Sequence, residues 1–366
     1  MALNSSGPIS IGGTTTGQSI EIELGESGTV QASMNDSNLR TLAGIASGAI
    51  SLSSFYGKSH VATMQVALDD FVGGHRYYTP DGVTYSSASG TAFGGMYSGA
   101  SITTPSLLKL MCGSGSNATF SSDGGVTWSA QTLPGSTNYV NGSNGAFQLM
   151  PSNSETTTAY YSGTGTSWPS NTLPYSMTCH LLGSNGSGTL VGAAYTSGGG
   201  AASTKSIVST STGVGWSAGG ALPYAENWVG VVWLSGTTYI AISANCNVAI
   251  TTNSGSTWSA VNGGTRPTNM PTSMQGCSIA TNGTGTIVVG SGSSGSTGIA
   301  YSTNGTTWTA VTLPGAPSGY PISVAYVNGF FLAAGYNNTN LAWKSTNGIS
   351  WTAETLPATA YIQIIC

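Results

Sequence analysis

The chain has 366 residues, of which only 5% are charged, and its seven Lys and Arg against eleven Asp and Glu leave a net charge of −4. Basic residues this sparse and scattered offer no electrostatic footprint for nucleic acid or for an anionic membrane surface. Nine Trp and seventeen Tyr exclude compositional disorder, which pairs high charge with few aromatics, and the length accommodates one large domain plus a small module.

The N-terminus, Met1-Ala-Leu-Asn-Ser-Ser6, has neither a basic stretch nor an apolar run. It predicts no signal peptide and no membrane insertion, hence synthesis in a cytoplasm. Ile9-Ser-Ile-Gly-Gly13 and Ser19-Ile-Glu-Ile-Glu-Leu24 read as strands. Asp36 to Ala43 reads as a short helix, capped by Asn35 or Asp36 and ended by Gly44. Ile50-Ser-Leu-Ser-Ser-Phe-Tyr56 then leads into Gly57-Lys58-Ser59. A module of residues 1–59 can barely bury a core alone, so it is expected to pack against something larger.

These same stretches, Ala2 to Gly12, Gly17 to Ile20, Leu39-Arg-Thr-Leu-Ala-Gly44 and Ser51-Leu-Ser-Ser-Phe-Tyr-Gly-Lys-Ser59, resemble an N-terminal module of tailed-bacteriophage virion proteins. In that family it precedes variable C-terminal domains. The resemblance covers about a sixth of the chain. It implies that residues 1–59 dock onto other virion proteins, that the product is a virion component made in a bacterial host, and that it leaves the cell by lysis.

From residue 60 to 366 one pattern recurs. Its clearest copy is Ser121-Ser122-Asp123-Gly124-Gly125-Val126-Thr127-Trp128, and looser ones end at Tyr85, Trp168, Trp216, Trp258, Trp308 and Trp351, spaced 43, 40, 48, 42, 50 and 43 residues apart. A period in the low forties, with strand-like sequence on both sides of a polar Gly turn, matches the needs of a four-stranded propeller blade. The first unit offers only Ala62–Leu68, His75–Tyr78 and Val83–Tyr85 as strands. Later units follow one order, with Val231 to Val261 as the fifth and Cys277 to Val311 as the sixth.

The unit from Pro321 to Pro357 is the best preserved. Its strands read as Ile322–Val327, Phe330–Ala334, Asn340–Lys344 and Ile349–Ala353, with hairpin turns at Asn328-Gly329 and Asn347-Gly348. The tail Tyr361-Ile-Gln-Ile-Ile-Cys366 is one more first strand with no unit behind it. It is expected to complete the first blade, which removes two exposed edges. The predicted fold is therefore all-β: a seven-bladed β-propeller closed by the C-terminal strand, preceded by the small mixed module.

The turns resemble the Asp-box, whose family form is Ser/Thr-x-Asp-x-Gly-x-x-Trp/Phe. Asp123-Gly125-Trp128 and Asn253-Gly255-Trp258 keep its spacing, whereas Asn304-Gly305-Trp308 and Asn347-Gly348-Trp351 are one residue shorter. Asp or Asn caps the turn, Gly supplies a positive φ, and the ring fills the gap between blades. The resemblance marks a fold and says little of function, since sialidases, sorting receptors and lectins share it. Five units end in Leu-Pro, at Leu133, Leu173, Leu222, Leu313 and Leu356. The Leu is expected to pack on the neighbouring blade and the Pro to end ladder pairing.

Catalysis finds little support. A sialidase-like arginine triad cannot come from one propeller when the arginines are Arg40, Arg76 and Arg266 and the first lies in the N-terminal module. A glycosidase needs two facing carboxylates, and the acids available are Asp69, Asp70, Asp81, Asp123, Glu155, Glu226 and Glu354. Asp81 and Asp123 belong to turns and Glu354 to an outer strand. Asp69-Asp70 with Glu155 or Glu226 stays conceivable. His60, His75 and His180 are too scattered for a metal, and Cys112, Cys179, Cys246, Cys277 and Cys366 lack CxxC spacing and read as buried small hydrophobes. No cofactor and no metal is expected.

A binding face is the stronger expectation. If strands run from inner to outer, the Trp turns lie on one face. The other face collects the second-to-third-strand loops (69–76, 153–158, 195–205, 244–247, 291–297 and 336–340) and the linkers between blades. Those segments hold Asp69, Asp70, His75 and Asn337, with Tyr139, Tyr175, Tyr224 and Tyr320 after Leu-Pro and Trp228 nearby. Rings among Asn, Ser and Thr suit a sugar or a protein partner, and the same tyrosines could equally pack between blades. Together with the resemblance, this predicts a virion structural protein of the tail, collar or fibre that binds a host cell-surface glycan or receptor. The alternatives are a capsid or tail decoration protein without a specific ligand and, third, a glycosidase-type enzyme.

Overall fold

The computed structural model describes residues 3–13, 15, 18–20, 39, 43, 49–56, 66–70, 76–79, 82–90, 98–102, 108–112, 116–135, 139–143, 145–150, 155–195, 203–272, 279–291, 298–316, 322–327 and 329–365. The chain forms two compact units, Met1–Met64 and Gln65–Cys366.

The first unit has a core of its own. Leu3, Ile20, Leu39, Ala43 and Phe55 are buried together, with Ile9, Ile11 and Ile50 against them. Leu39 and Ala43 are helical, within the stretch where the sequence predicts a helix. Of the strand expected at Ser19–Leu24 only the first two residues are described: Ile20 is helical and Ser19 makes an isolated bridge to Ser10, while 21–24 lie outside the described residues. Ile20 serves as a core anchor of this unit. A 3₁₀ turn at Leu52–Phe55 turns Phe55 inward, and the Tyr56 hydroxyl donates to the Gly7 carbonyl at 2.6 Å.

The second unit is an all-β propeller whose described strands form six sheets. Four sheets have four strands each, and the sheet spanning 228–260 shows their logic. Trp228–Ser235, Thr238–Ser243, Val248–Thr251 and Ser259–Ala260 pair antiparallel in chain order. The middle strands are buried almost throughout, as apolar runs such as Tyr239-Ile-Ala-Ile242 dictate when both faces meet other sheets. The 89–132 sheet gains a fifth strand, because Ser89–Gly90 pairs parallel with Thr127 and Trp128 at its outer side.

The remaining sheet has six strands, in the order Ile322–Val327, Phe330–Ser345, Thr352–Ile365, Val66–Asp70, Arg76–Thr79 and Ser86–Ser87. The C-terminal segment joins the ends of the unit, with Ala67 opposite Ile365 and Asp70 opposite Ile362. Three expectations are corrected here. Extended backbone continues through the loop expected at 336–340, because Tyr336 pairs with Tyr361 and Thr339 with Ala360, with irregular register between them. The fourth strand and the tail are one continuous strand for the same reason. Asp69 and Asp70 end a strand rather than sit in a loop, since the tail supplies main-chain partners for both. Val83–Tyr85 also falls short, the strand beginning at Ser86.

Burial shows what holds adjacent sheets together. Trp258 packs with Val191 and Leu222 of the preceding sheet, Trp308 with Ile240 and Ile242, and Trp351 with Val288 and Ile299. The leucines of Leu-Pro reach the other way: Leu133 joins Phe147 and Leu149, and Leu222 joins Val231 and Tyr239 of the following sheet. Each full burial of such a side chain contributes roughly 1.5–3 kcal/mol. Pro174 does not end its strand, which runs from Ser170 to Met177. It sits instead in the interval where ladder pairing lapses, between Thr158–Thr172 and Thr156–Met177.

The turns before the tryptophans are held by their side chains. Asp123 accepts from Val126 N at 3.1 Å, Thr127 N at 2.9 Å and the Ser121 hydroxyl at 2.8 Å, while the Ser121 hydroxyl oxygen accepts from Gly125 N at 2.8 Å. Asn253, Asn304 and Asn347 repeat the capping, as with Thr257 N to Asn253 Oδ1 at 2.9 Å. Gly305 has φ +74, and a Cβ there would stand 2.2 Å from Ile240 Cδ1 of the preceding sheet. Glycine is required by both conformation and contact.

Candidate functional site

The face opposite the Trp turns is built where first strands begin, second strands end and linkers cross from sheet to sheet. In the sector spanning 139–247 these pieces meet. Tyr139 opens the strand Tyr139–Ser143, His180 lies in the linker between Ser170–Met177 and Gly183–Ser184, and Tyr195 follows Leu190–Ala193. Their rings lie against one another in a row: Tyr139 to His180 is 3.8 Å between centroids with planes 14° apart, and His180 to Tyr195 is 3.7 Å with planes tilted by 31°. Burial lowers the His180 pKa to about 3, so the imidazole is neutral at ordinary pH.

Hydrogen bonds fix the backbone beneath the stack. Buried Asn141 donates to the His180 carbonyl at 3.0 Å and accepts from Leu182 N at 2.9 Å. Tyr195 N donates to the Thr178 carbonyl at 2.9 Å, and the Thr178 hydroxyl donates back to the Tyr195 carbonyl. Lys205 Nζ lies 5.6 Å over the Tyr175 ring and 3.3 Å from the Ser176 carbonyl. Thus Tyr175 sits within a strand rather than a linker, with an exposed cation on one face.

One sheet further on, Glu226 pairs main chain with Ser203 and holds two amides. Asn245 Nδ2 donates to its Oε2 at 2.9 Å and Asn247 Nδ2 to its Oε1 at 2.6 Å. Tyr224 and Trp228 flank it in sequence and play a packing part. Their rings stack at 5.4 Å, the Tyr224 hydroxyl donates to the Val248 carbonyl at 2.6 Å, and Trp228 Nε1 donates to the Ser203 carbonyl at 2.9 Å. Burial first, then the Glu226 charge, pushes the Tyr224 hydroxyl up to about 12. Trp228 is 0% exposed, which removes it as a contact surface for any ligand.

The other expected residues separate. Asp69 and Asp70 occupy the strand opposite Gln363 and Ile362, and Asn337 lies in the long strand Phe330–Ser345. His75 and Tyr320 lie outside the described residues. The sequence puts Tyr195, Asn245 and Asn247 within face-forming loops without distinguishing them, and His180 reads as one of three scattered histidines. No periodic signal could find His180, whose stacking partners come from two different sheets.

Elsewhere, Arg76 is buried with its guanidinium 5.1 Å over the Trp128 ring, and Arg266 Nη1 donates to the Met270 carbonyl at 2.7 Å. Cys112, Cys179 and Cys246 are free and buried, and burial pushes the Cys179 and Cys246 thiols up to about 12. Among the described residues no three His, Cys, Asp or Glu gather to hold a metal ion, and no helix is long and apolar enough to cross a membrane. An open depression of about 410 Å³ lies on the turn side, between Val261, Pro267 and Trp308.

No protein-family model matches the chain, and no curated protein sequence does. Among solved structures it is similar to YCF48 from Cyanidioschyzon merolae, at 14% identity and a TM-score of 0.51, covering 80% of this chain and 90% of that one. It is also similar to a GH74 xyloglucanase from Xanthomonas campestris, at 12% identity and a TM-score of 0.52, covering 79% of this chain and 46% of the enzyme. Similarity at these identities concerns the propeller fold alone.

Proposed function

We propose that the chain is a bacteriophage virion structural protein, in which the N-terminal unit docks on the particle and the propeller is displayed to bind a host cell-surface glycan or receptor. The observation that carries this reading is the polar, aromatic-studded face: the Tyr139–His180–Tyr195 rings and, one sheet further on, Glu226 with its two asparagines. Carbohydrate recognition draws on both elements, rigid aromatic rings and convergent amide and carboxylate groups. The separately cored first unit, whose sequence resembles virion attachment modules, supports the docking role.

In this reading the six-stranded sheet is two blades, one made of 322–356 and one in which 361–365 supplies the first strand to 66–87. The ring then has seven blades sealed by the C-terminal strand, a view supported by the pairing of Ala67 to Asp70 with Ile362 to Ile365. The protein acts by binding and not by catalysis. Arg76 is committed to Trp128 and Asp123 to its own turn, so neither is placed for chemistry.

Mass spectrometry and electron cryomicroscopy of purified particles test the assignment. The expected result is density for a propeller projecting from the tail, collar or fibre, joined through its N-terminal unit. A particle lacking the protein contradicts the reading, and many copies covering the capsid select a decoration role instead.

A further inference from the structure

The geometry points to Glu226, Asn245 and Asn247 as a subsite for a pair of vicinal saccharide hydroxyls, an assignment that rests on the glycan-binding reading and makes it specific. Glu226 is half-buried, and each carboxylate oxygen accepts one amide hydrogen, Oε1 from Asn247 and Oε2 from Asn245. A carboxylate has about four acceptor positions, so these two bonds orient it and leave further capacity on both oxygens. No cation among the described residues pairs with it. The exposed Asn245 side chain adds its own carbonyl oxygen beside that carboxylate.

The amides are presented by a turn with little freedom. Cys246 between them is fully buried and has φ +61, a left-handed conformation unusual for a residue other than glycine. Asn247 N donates to the Ser243 hydroxyl at 3.1 Å, Cys246 N to the Ser243 carbonyl at 2.9 Å, and Ala244 N to the Asn227 carbonyl at 2.8 Å. A strained residue held by its surroundings in this way fixes its neighbours' side chains in advance of a ligand. The acceptor oxygens left over converge within one small area and can each take a hydrogen-bond donor from a ligand. Adjacent sugar hydroxyls supply two donors side by side and carry no charge that must be desolvated. The charge of Glu226 strengthens such bonds relative to neutral acceptors.

The test uses the full chain on an array of bacterial surface oligosaccharides, each printed intact and after periodate oxidation, which cleaves vicinal diols. The wild-type protein is expected to bind a subset of intact sugars and to lose about tenfold or more on their oxidised copies, the loss of one or two charge-assisted hydrogen bonds. Glu226→Gln and Asn245→Ala are expected to weaken binding about tenfold as well, with unchanged circular dichroism. Asn245 is exposed, so its variant keeps the test valid even if Glu226→Gln fails to fold. Wild-type binding that survives both substitutions or periodate overturns this subsite while leaving glycan binding intact. Wild-type protein that binds no oligosaccharide overturns both.

Discussion

A methyl group on Gly290 would stand 2.1 Å from the carbonyl oxygen of Ile322, the first residue of the next sheet's opening strand. The obstacle is backbone, and Ile322 N is itself bonded to the Ser291 carbonyl at 2.8 Å, so neither sheet can yield without losing pairing. The close approach sets the spacing of two neighbouring sheets. Gly290→Ala is expected to cost about 3 kcal/mol, read as a lowered urea midpoint. Gly215→Ala, where a Cβ meets nothing within 4 Å, should leave the midpoint within experimental scatter.

Leu222 is 2% exposed and packs against Val231, Tyr239 and Trp258 of the following sheet. Leu222→Ala leaves a cavity between two sheets and should destabilise the propeller by about 3 kcal/mol. Pro223→Ala, at an exposed position, should cost little. Equal loss in the two variants would show that Leu-Pro acts through the proline.

Two groups make stability depend on pH, both in the same direction. Burial alone would raise the Asp123 pKa, but bonds from Thr127, Ser121 and Val126 outweigh it and hold the carboxyl below its ordinary value. Its contribution is therefore present above pH 4 or so and is lost as pH falls through the folded pKa. Asp123→Asn keeps an acceptor, as Asn253 does in its own turn, and should flatten the stability profile below about pH 4.

His180 acts over a higher window. Its pKa falls to about 3 on burial from the ordinary 6.5, so the unfolded chain binds the extra proton first. Stability is lost as pH drops from 6.5 toward 3. His180→Phe preserves a ring between Tyr139 and Tyr195 and removes the titration. Urea midpoints should favour the variant more at pH 5 than at pH 8, and a constant difference would show that His180 is not protonated on unfolding.

These contrasts show what the sequence makes legible. The Trp turns and the Leu-Pro pairs stand out because each copy solves the same packing problem with the same residue, as Trp258, Trp308 and Trp351 do between their sheets. The extended course of Tyr336 and Asn337 is not legible, since Asn and Thr suggest a loop. What straightens that segment is main-chain pairing with Ala360 and Tyr361, which side-chain identity does not encode. The Tyr139–His180–Tyr195 stack is hidden for a related reason: one ring comes from a strand start, one from a linker and one from a strand end. Trp228 misled in the opposite sense, because a ring beside a face-forming linker can still be wholly buried.

Removal of residues 361–366 takes away the partners of Ala67 to Asp70 and of Tyr336. The truncated chain is expected to aggregate or to elute as an unfolded species in size-exclusion chromatography, because two strand edges are left unpaired. A truncated protein that melts at the temperature of the full chain would refute the sealed seven-blade ring.

Competition with phage adsorption is the most direct check on the proposed display-and-recognition role. Purified full-length protein, mixed with host cells before the parent phage is added, is expected to slow adsorption in a saturable manner, and Glu226→Gln protein should do so only at higher concentration. Adsorption that proceeds at the same rate in the presence of saturating, correctly folded protein would contradict the account.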